Sequence, residues 1–102
     1  MKVHNKLVRD KIPEIIEAAG KKSVTHILSD KEYIAALETK LNEEVAEYQE
    51  DRNIEEMADV LEVLQAICIA RGYTLDQLEE VRVKKAEERG GFKEKIFLEY
   101  VE

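Results

Sequence analysis

The fold of this chain is decided by two acidic segments, KLNEEVAE at residues 40–47 and EEMAD at residues 55–59. They contain two pairs of acids with a three-residue spacing: Glu44 with Glu47, and Glu56 with Asp59. That spacing places both carboxylates of a pair on one side of a helix. Residues 51–53, between the segments, have the composition of a turn. Two helices folded back at this turn would bring four carboxylates towards one place.

The segments on either side of the turn have strong helical patterns. Ser29 and Glu32 have the spacing of a capping box, and the helix that it starts is expected to run to about Glu50. Its apolar positions recur at steps of three and four, which is the helical period: Ile34, Leu37, Leu41, Val45 and Tyr48. Asn53 and Glu56 predict a second capping box and a helix that ends near Arg71.

This second helix is apolar on nearly all sides between Met57 and Ala70. A helix of that kind is usually buried on most of its surface. A chain of 102 residues has little protein with which to cover it. We therefore expect a second copy of the chain to do so, in a homodimer or homotetramer.

The flanking segments predict two more helices. Asp10 is the expected N-cap of the first, with Pro13 in its opening turn and Gly20 after its end. The fourth begins at a capping signal on Thr74 and stops at Gly90. Short strands are possible at residues 23–28 and 95–101. The fold expected for residues 1–102 is a single all-α domain: an antiparallel bundle of about four helices, with or without short terminal strands.

Charge and composition exclude several classes of partner. The net charge is −7, which argues against duplex nucleic acid or an anionic membrane. Cys68 is the one cysteine, so the chain has no intrachain disulfide, and it is expected to belong to a hydrophobic core. We find neither a signal peptide nor an apolar run of membrane-spanning length. A cytoplasmic protein is the expectation.

The four acids have two interpretations. They could be ordinary surface charges, because 38% of the chain is charged. However, both pairs flank apolar stripes and meet across one turn, where four like charges need protons or a cation. Hard divalent cations such as Mg²⁺ prefer such oxygen ligands.

Basic residues form two groups. The first, Arg82, Lys85 and Arg89, lies on one face of the fourth helix and suits either a phosphate or the negative end of the helix dipole. The second, Lys6, Arg9 and Lys11, precedes the first helix and is either solvated or able to reach over a site. No glycine loop, zinc pattern or nucleophilic cysteine or histidine arrangement is present.

The order of these residues resembles the all-α nucleotide pyrophosphohydrolases, a group that includes MazG-like enzymes, dimeric dUTPases and phosphoribosyl-ATP pyrophosphohydrolase. The carrying motif is K-x-x-E-E-x-x-E at residues 40–47 followed by E-x-x-D at 56–59. NKLVRDKIP at residues 5–13 and KKAEERGGF at 84–92 are similar to a small branch labelled phosphoribosyl-ATP pyrophosphohydrolase-like.

The resemblance implies an oligomeric helical bundle that hydrolyses a nucleotide between its α and β phosphates. It implies Mg²⁺, or Mn²⁺, held by the four acids, of which Glu44 or Glu47 would activate the water. Lys40, Lys85 and Arg89 would contact phosphate, with Arg82 and Arg9 as further candidates.

Three functional alternatives follow from the same residues. The first alternative is the phosphoribosyl-ATP step of histidine biosynthesis. Enzymes of that step tend to carry a histidine shortly after the position of Asp59, where this chain has Val63 and Leu64, so nucleotide-pool cleaning is favoured. A helical module that binds metal and nucleotide without catalysis is the second alternative. A purely structural helical dimer is the third.

Overall fold

A computed structural model describes residues 2–102, which form four helices. They are α1 (Ile12–Ala18), α2 (Asp30–Asp51), α3 (Ile54–Ala70) and α4 (Leu75–Arg89). None of residues 2–102 forms a strand. The predicted all-α class and the number of helices are confirmed.

Helices α2 and α3 form the centre of the fold. Only Arg52 and Asn53 separate them, and they pack along one another as a helical hairpin. Arg52 makes the reversal with a left-handed backbone (φ 51°), and its N–H donates to the carbonyl of Tyr48 at 2.7 Å. The predicted turn therefore brings the C-terminal half of α2 beside the N-terminal half of α3.

Side-chain caps begin three of the helices. Ser29 Oγ accepts from the Glu32 N–H at 3.2 Å, and the Glu32 carboxylate accepts from the Ser29 N–H at 3.0 Å. These hydrogen bonds stabilise the carboxylate and lower the pKa of Glu32. Thr74 and Gln77 form the same reciprocal box at the start of α4. The box at Ser29 and the cap at Thr74 were predicted from the sequence.

The cap of α3 is only half of the predicted box. Asn53 Oδ1 accepts from the Glu56 N–H at 2.9 Å, but Glu56 returns no hydrogen bond to Asn53. The Glu56 carboxylate instead lies among other acids in the seam between α2 and α3. The first turn of α3 thus gives up one cap hydrogen bond.

The core of the single chain is small. Its buried apolar residues are Leu37, Val63 and Cys68, which confirms the core position predicted for the cysteine. Much of the apolar surface of α3 is exposed, including Leu61 at 53% and Ile69 at 59%. Every residue after Ala70 is exposed, so α4 and the tail cover little of α3.

The N-cap predicted for α1 and the two predicted strands are wrong. The N-cap of α1 is Lys11, not Asp10, because the Arg9 carbonyl accepts the Ile12 N–H at 3.0 Å and Pro13 has no N–H for an Asp10 cap. Residues 23–28 and 95–101 are not strands. Val24 and Ile27 are 89% and 96% exposed, and an extended segment without a neighbour has no ladder to join.

Candidate metal centre

Three of the four predicted acids meet in the seam between α2 and α3. Glu44 comes from α2, and Glu56 and Asp59 come from the first two turns of α3. One carboxylate oxygen from each lies within 4.8 Å of the other two. The i, i+3 spacing aligns the two acids of α3, and the tight turn brings them opposite Glu44.

Burial makes this cluster unusual for surface acids. Glu44 is 7% exposed, although it is a charged residue in a chain with little core. The Oε2 atoms of Glu44 and Glu56 are inaccessible and have no hydrogen-bond partner among the described residues. A buried carboxylate oxygen without a partner costs free energy. Three clustered carboxylates, two of which have a buried oxygen without a partner, are a donor set that a hard divalent cation such as Mg²⁺ prefers, so these residues fit such an ion.

The environment of Glu56 favours its protonated form. Removal from water raises the pKa of Glu56, and the negative charges of Asp59 and Asp51 raise it further. The residue as a whole is half-buried, but its inaccessible Oε2 explains why desolvation has the largest effect. A cation at the cluster would reverse this preference because it stabilises the charged form.

Glu47 lies beside the cluster rather than within the group of three. It is one turn beyond Glu44 on α2 and is exposed. Glu44 raises the pKa of Glu47 in two ways. Its carboxylate can accept a hydrogen bond from protonated Glu47, and its negative charge disfavours a second charge beside it. Glu47 as a metal ligand or base therefore stays a prediction, with its side chain close enough to Glu44 for the two to interact.

Two cations already face these acids. Lys40 Nζ lies 3.3 Å from Glu44 Oε1 and 3.7 Å from Glu43 Oε2. Arg9 reaches across from the segment before α1, and its Nη2 donates to Asp59 Oδ1 at 2.6 Å. Both were predicted to bind phosphate. Lys40 and Arg9 each pair with one of the clustered acids, whereas Glu56 has no cation within 4.0 Å among residues 2–102.

The basic residues of α4 do not join this group. Helix α4 packs against α3 and makes no close contact with α2, which carries Glu44. Arg82 is paired with Glu79 one turn earlier, which lowers the pKa of Glu79 and raises the pKa of Arg82. Lys85 and Arg89 are exposed and have no acid within 4.0 Å among residues 2–102. Within one chain, α4 and the acids on α2 are separate.

A shallow apolar depression borders the acids and was not predicted. It is lined by Val45, Tyr48, Met57 and Val60. Three of these directly follow the clustered acids in the sequence. In antiparallel helices, the residue after a seam position turns to the same side from both helices, so the sequence did hold a signal for this depression.

Comparisons with known proteins add little about activity. No family model matches the chain, and no solved structure matches it significantly. A protein of Mycolicibacterium smegmatis, described only as uncharacterized, is 63% identical over 41 residues. That match spans 40% of this chain and 42% of the relative. Among the described residues, no helix is long and apolar enough to cross a membrane.

Proposed function

We propose that the chain is a nucleotide pyrophosphohydrolase that depends on Mg²⁺ and cleaves a nucleoside triphosphate, or a related nucleotide, to the monophosphate and pyrophosphate. The observation that supports this most directly is the cluster of Glu44, Glu56 and Asp59, with two inaccessible oxygens that lack partners. The resemblance of residues 40–59 to the MazG-like enzymes supplies the reaction. Cleaning of the nucleotide pool is the role that we favour.

The three clustered carboxylates would hold the metal, with Glu47 as a further ligand. Mg²⁺, or Mn²⁺ in its place, would supply positive charge that neutralises the triphosphate and favours attack at phosphorus. Lys40 balances part of the charge on Glu44 from the same helix. The protein therefore contributes fixed acids and one fixed cation to the site.

Glu47 is the better candidate for the general base. Glu44 is buried and its Oε1 is engaged by Lys40, whereas Glu47 is exposed and can accept a proton from water. An exposed carboxylate one turn from Glu44 is placed to take a proton from water beside a metal that Glu44 would hold. Water oxygen would bond to the α-phosphorus as Glu47 takes its proton, and the bond from that phosphorus to the bridging oxygen would break, releasing pyrophosphate.

Contacts to the nucleotide follow from the residues around the cluster. Lys40 and Arg9 are the cations beside the acids in this chain. Tyr48, in the apolar depression next to the acids, offers a ring on which a base can stack. Arg82, Lys85 and Arg89 would reach phosphate from the α4 of a second copy, because α4 does not contact α2 in its own chain.

A second copy is supported by the exposed apolar surface. Single soluble chains seldom expose a continuous apolar face. Here the exposed apolar side chains run along α3 and into α4: Met57, Leu61, Leu64, Ile69, Leu78 and Val81. We therefore include a homodimer or homotetramer in the proposal, located in the cytoplasm, where an unpaired Cys68 stays reduced.

A product screen tests the proposed reaction. The chain is incubated with Mg²⁺ and a panel of ribonucleoside and deoxyribonucleoside triphosphates together with phosphoribosyl-ATP, and products are identified by ³¹P NMR. We expect monophosphate and pyrophosphate from at least one nucleotide, and no turnover in excess EDTA. Cleavage that releases orthophosphate would refute the proposed bond, and preference for phosphoribosyl-ATP would move the function to histidine biosynthesis.

The separation of α4 from the acids on α2 favours one second candidate, a module that binds metal and nucleotide without cleaving it. Metal binding by the wild type, with no product from any member of the panel, would support this candidate. A purely structural dimer would show neither metal binding nor turnover.

A further inference from the structure

The ion pair between Arg9 and Asp59 joins two parts of the chain that are far apart in sequence. Arg9 belongs to residues 2–11, the N-terminal arm, which has no helix or strand. Its Nη2 lies 2.6 Å from Asp59 Oδ1, 50 positions away. Within the described residues, this is the one hydrogen bond that joins residues 2–21 to the rest of the chain. The arm is thus attached by polar contact only at an oxygen of the candidate metal centre.

Two cations touch the cluster, but they differ in how firmly they are held. Lys40 is 17% exposed at its side chain and is placed by α2 one turn before Glu44. The Arg9 side chain is 56% exposed, and the chain around it is irregular. An exposed ion pair is weak and exchanges readily with water or other ions. Arg9 is therefore the cation that can leave.

A divalent cation at the cluster would compete with Arg9 in two ways. The metal would bind Asp59 Oδ1, which is also the oxygen that accepts a hydrogen bond from Arg9. In addition, the metal and the guanidinium are both positive and would repel one another. The inaccessible, unpartnered Oε2 of the nine-tenths-buried Glu44 directs the cation to this cluster rather than to another acidic surface. A released guanidinium beside a bound metal would face a phosphate group, to which arginine binds in bidentate fashion.

We propose that Arg9 is a transferable counter-ion: it balances Asp59 while the site lacks metal, and it passes to a phosphate of the substrate once the metal has bound. This inference rests on the proposed function. It gives the N-terminal arm a role in ordered binding, with metal first and a polyphosphate second, because the same residue opposes the first ligand and favours the second.

The test measures both ligands on the intact chain by isothermal titration calorimetry at pH 7.5. The variants are Arg9→Gln, Arg9→Lys and the control Lys2→Gln, which removes an exposed cation from the same arm. The first titrant is Mn²⁺ alone. The second is α,β-methylene-ATP, whose α–β linkage this reaction cannot cleave, added at saturating Mn²⁺. Circular dichroism checks that each variant keeps the helical content of the wild type.

We expect Arg9→Gln to change the two affinities in opposite directions. Arg9→Gln should bind Mn²⁺ roughly two- to fivefold more tightly than the wild type, as expected from loss of an exposed competing ion pair. It should bind the analogue at least about tenfold more weakly, because a charge-assisted contact to phosphate is lost. Arg9→Lys should lie between Arg9→Gln and the wild type, and Lys2→Gln should match the wild type in both titrations.

The possible outcomes distinguish a failure of this inference from a failure of the proposed function. If the wild type binds Mn²⁺ and Arg9→Gln binds it equally or more weakly, the counter-ion role is wrong while the metal site stands. Equal affinity of both proteins for the analogue would equally overturn the transfer to phosphate. If the wild type binds no Mn²⁺, the proposed function fails, and this inference fails with it.

Discussion

Removing the ammonium group of Lys40 is the most direct test of how the buried acid is held. Lys40 Nζ is the only cation within 4.0 Å of Glu44 among residues 2–102. The two side chains are 17% and 10% exposed, so little water is available to replace the lost partner. Lys40→Met keeps most of the methylene packing and removes the charge. It would leave Glu44 as a buried carboxylate with no counter-ion.

The magnitude follows from this burial. Removing one partner of a buried ion pair costs about 3–5 kcal/mol, whereas an exposed pair is worth about 0.2–1 kcal/mol. Because the residual exposure is below one fifth on both sides, we expect a loss of about 3 kcal/mol in the free energy of unfolding. In a domain of this size that corresponds to a fall in Tm of roughly 12–24 °C.

Urea unfolding followed by circular dichroism measures this loss at pH 7.5, in EDTA and at a fixed protomer concentration, since association also contributes to stability. Lys31→Met, the same change at an exposed position of α2, is the control and should stay within about 0.5 kcal/mol of the wild type. The double variant Lys40→Met with Glu44→Gln should regain most of the lost free energy of unfolding, because it no longer buries an unpaired carboxylate. Mg²⁺ should also restore much of it.

Two results would refute the reasoning. If Lys40→Met unfolds within about 0.5 kcal/mol of the wild type, Glu44 is better solvated than its burial indicates. If Glu44→Gln gives no recovery in the double variant, the loss comes from packing and not from an uncompensated carboxylate.

Further predictions concern the metal, the base, the pH dependence and the oligomer. Mg²⁺ at about one hundred times its Kd should stabilise the wild type by about 2.7 kcal/mol in thermal melts, and this gain should vanish in Glu56→Gln but persist in the exposed control Glu62→Gln. Glu47→Gln should lower the rate of pyrophosphate release at least about 100-fold with unchanged circular dichroism, whereas Glu50→Gln should not lower it. Equal rates in Glu47→Gln and the wild type would show that Glu47 is not the general base. The raised pKa of Glu56 means that the folded state holds this proton to higher pH than the unfolded state, so in EDTA the contribution of Glu56 to stability falls as pH rises above 4.5. Urea unfolding should accordingly find Glu56→Gln more stable than the wild type at neutral pH, with the advantage gone below pH 4.5; an advantage that does not change with pH would contradict this sign. Leu61→Glu, which charges the exposed face of α3, should reduce the mass measured by light scattering to that of a monomer, and a wild type that is already monomeric would refute the association.

The sequence by itself determined the helices and the pairing of the acids. Apolar residues at steps of three and four in α2, the capping box at Ser29, and the cap at Thr74 predict the starts of α2 and α4 from local interactions alone. The three-residue spacing of Glu56 and Asp59 is likewise a local property of a helix. These features need no knowledge of distant parts of the chain.

Only the tertiary structure decided which charges meet. The burial of Glu44, the diversion of Glu56 from its cap and the contact of Arg9 with Asp59 all depend on how α2, α3 and the N-terminal arm lie in space. The failed strands at residues 23–28 and 95–101 show the same limit, since a strand exists only beside a partner. Local hydrogen bonds and side-chain periodicity are encoded within a few residues, whereas desolvation and ion pairing arise only when remote segments exclude water together.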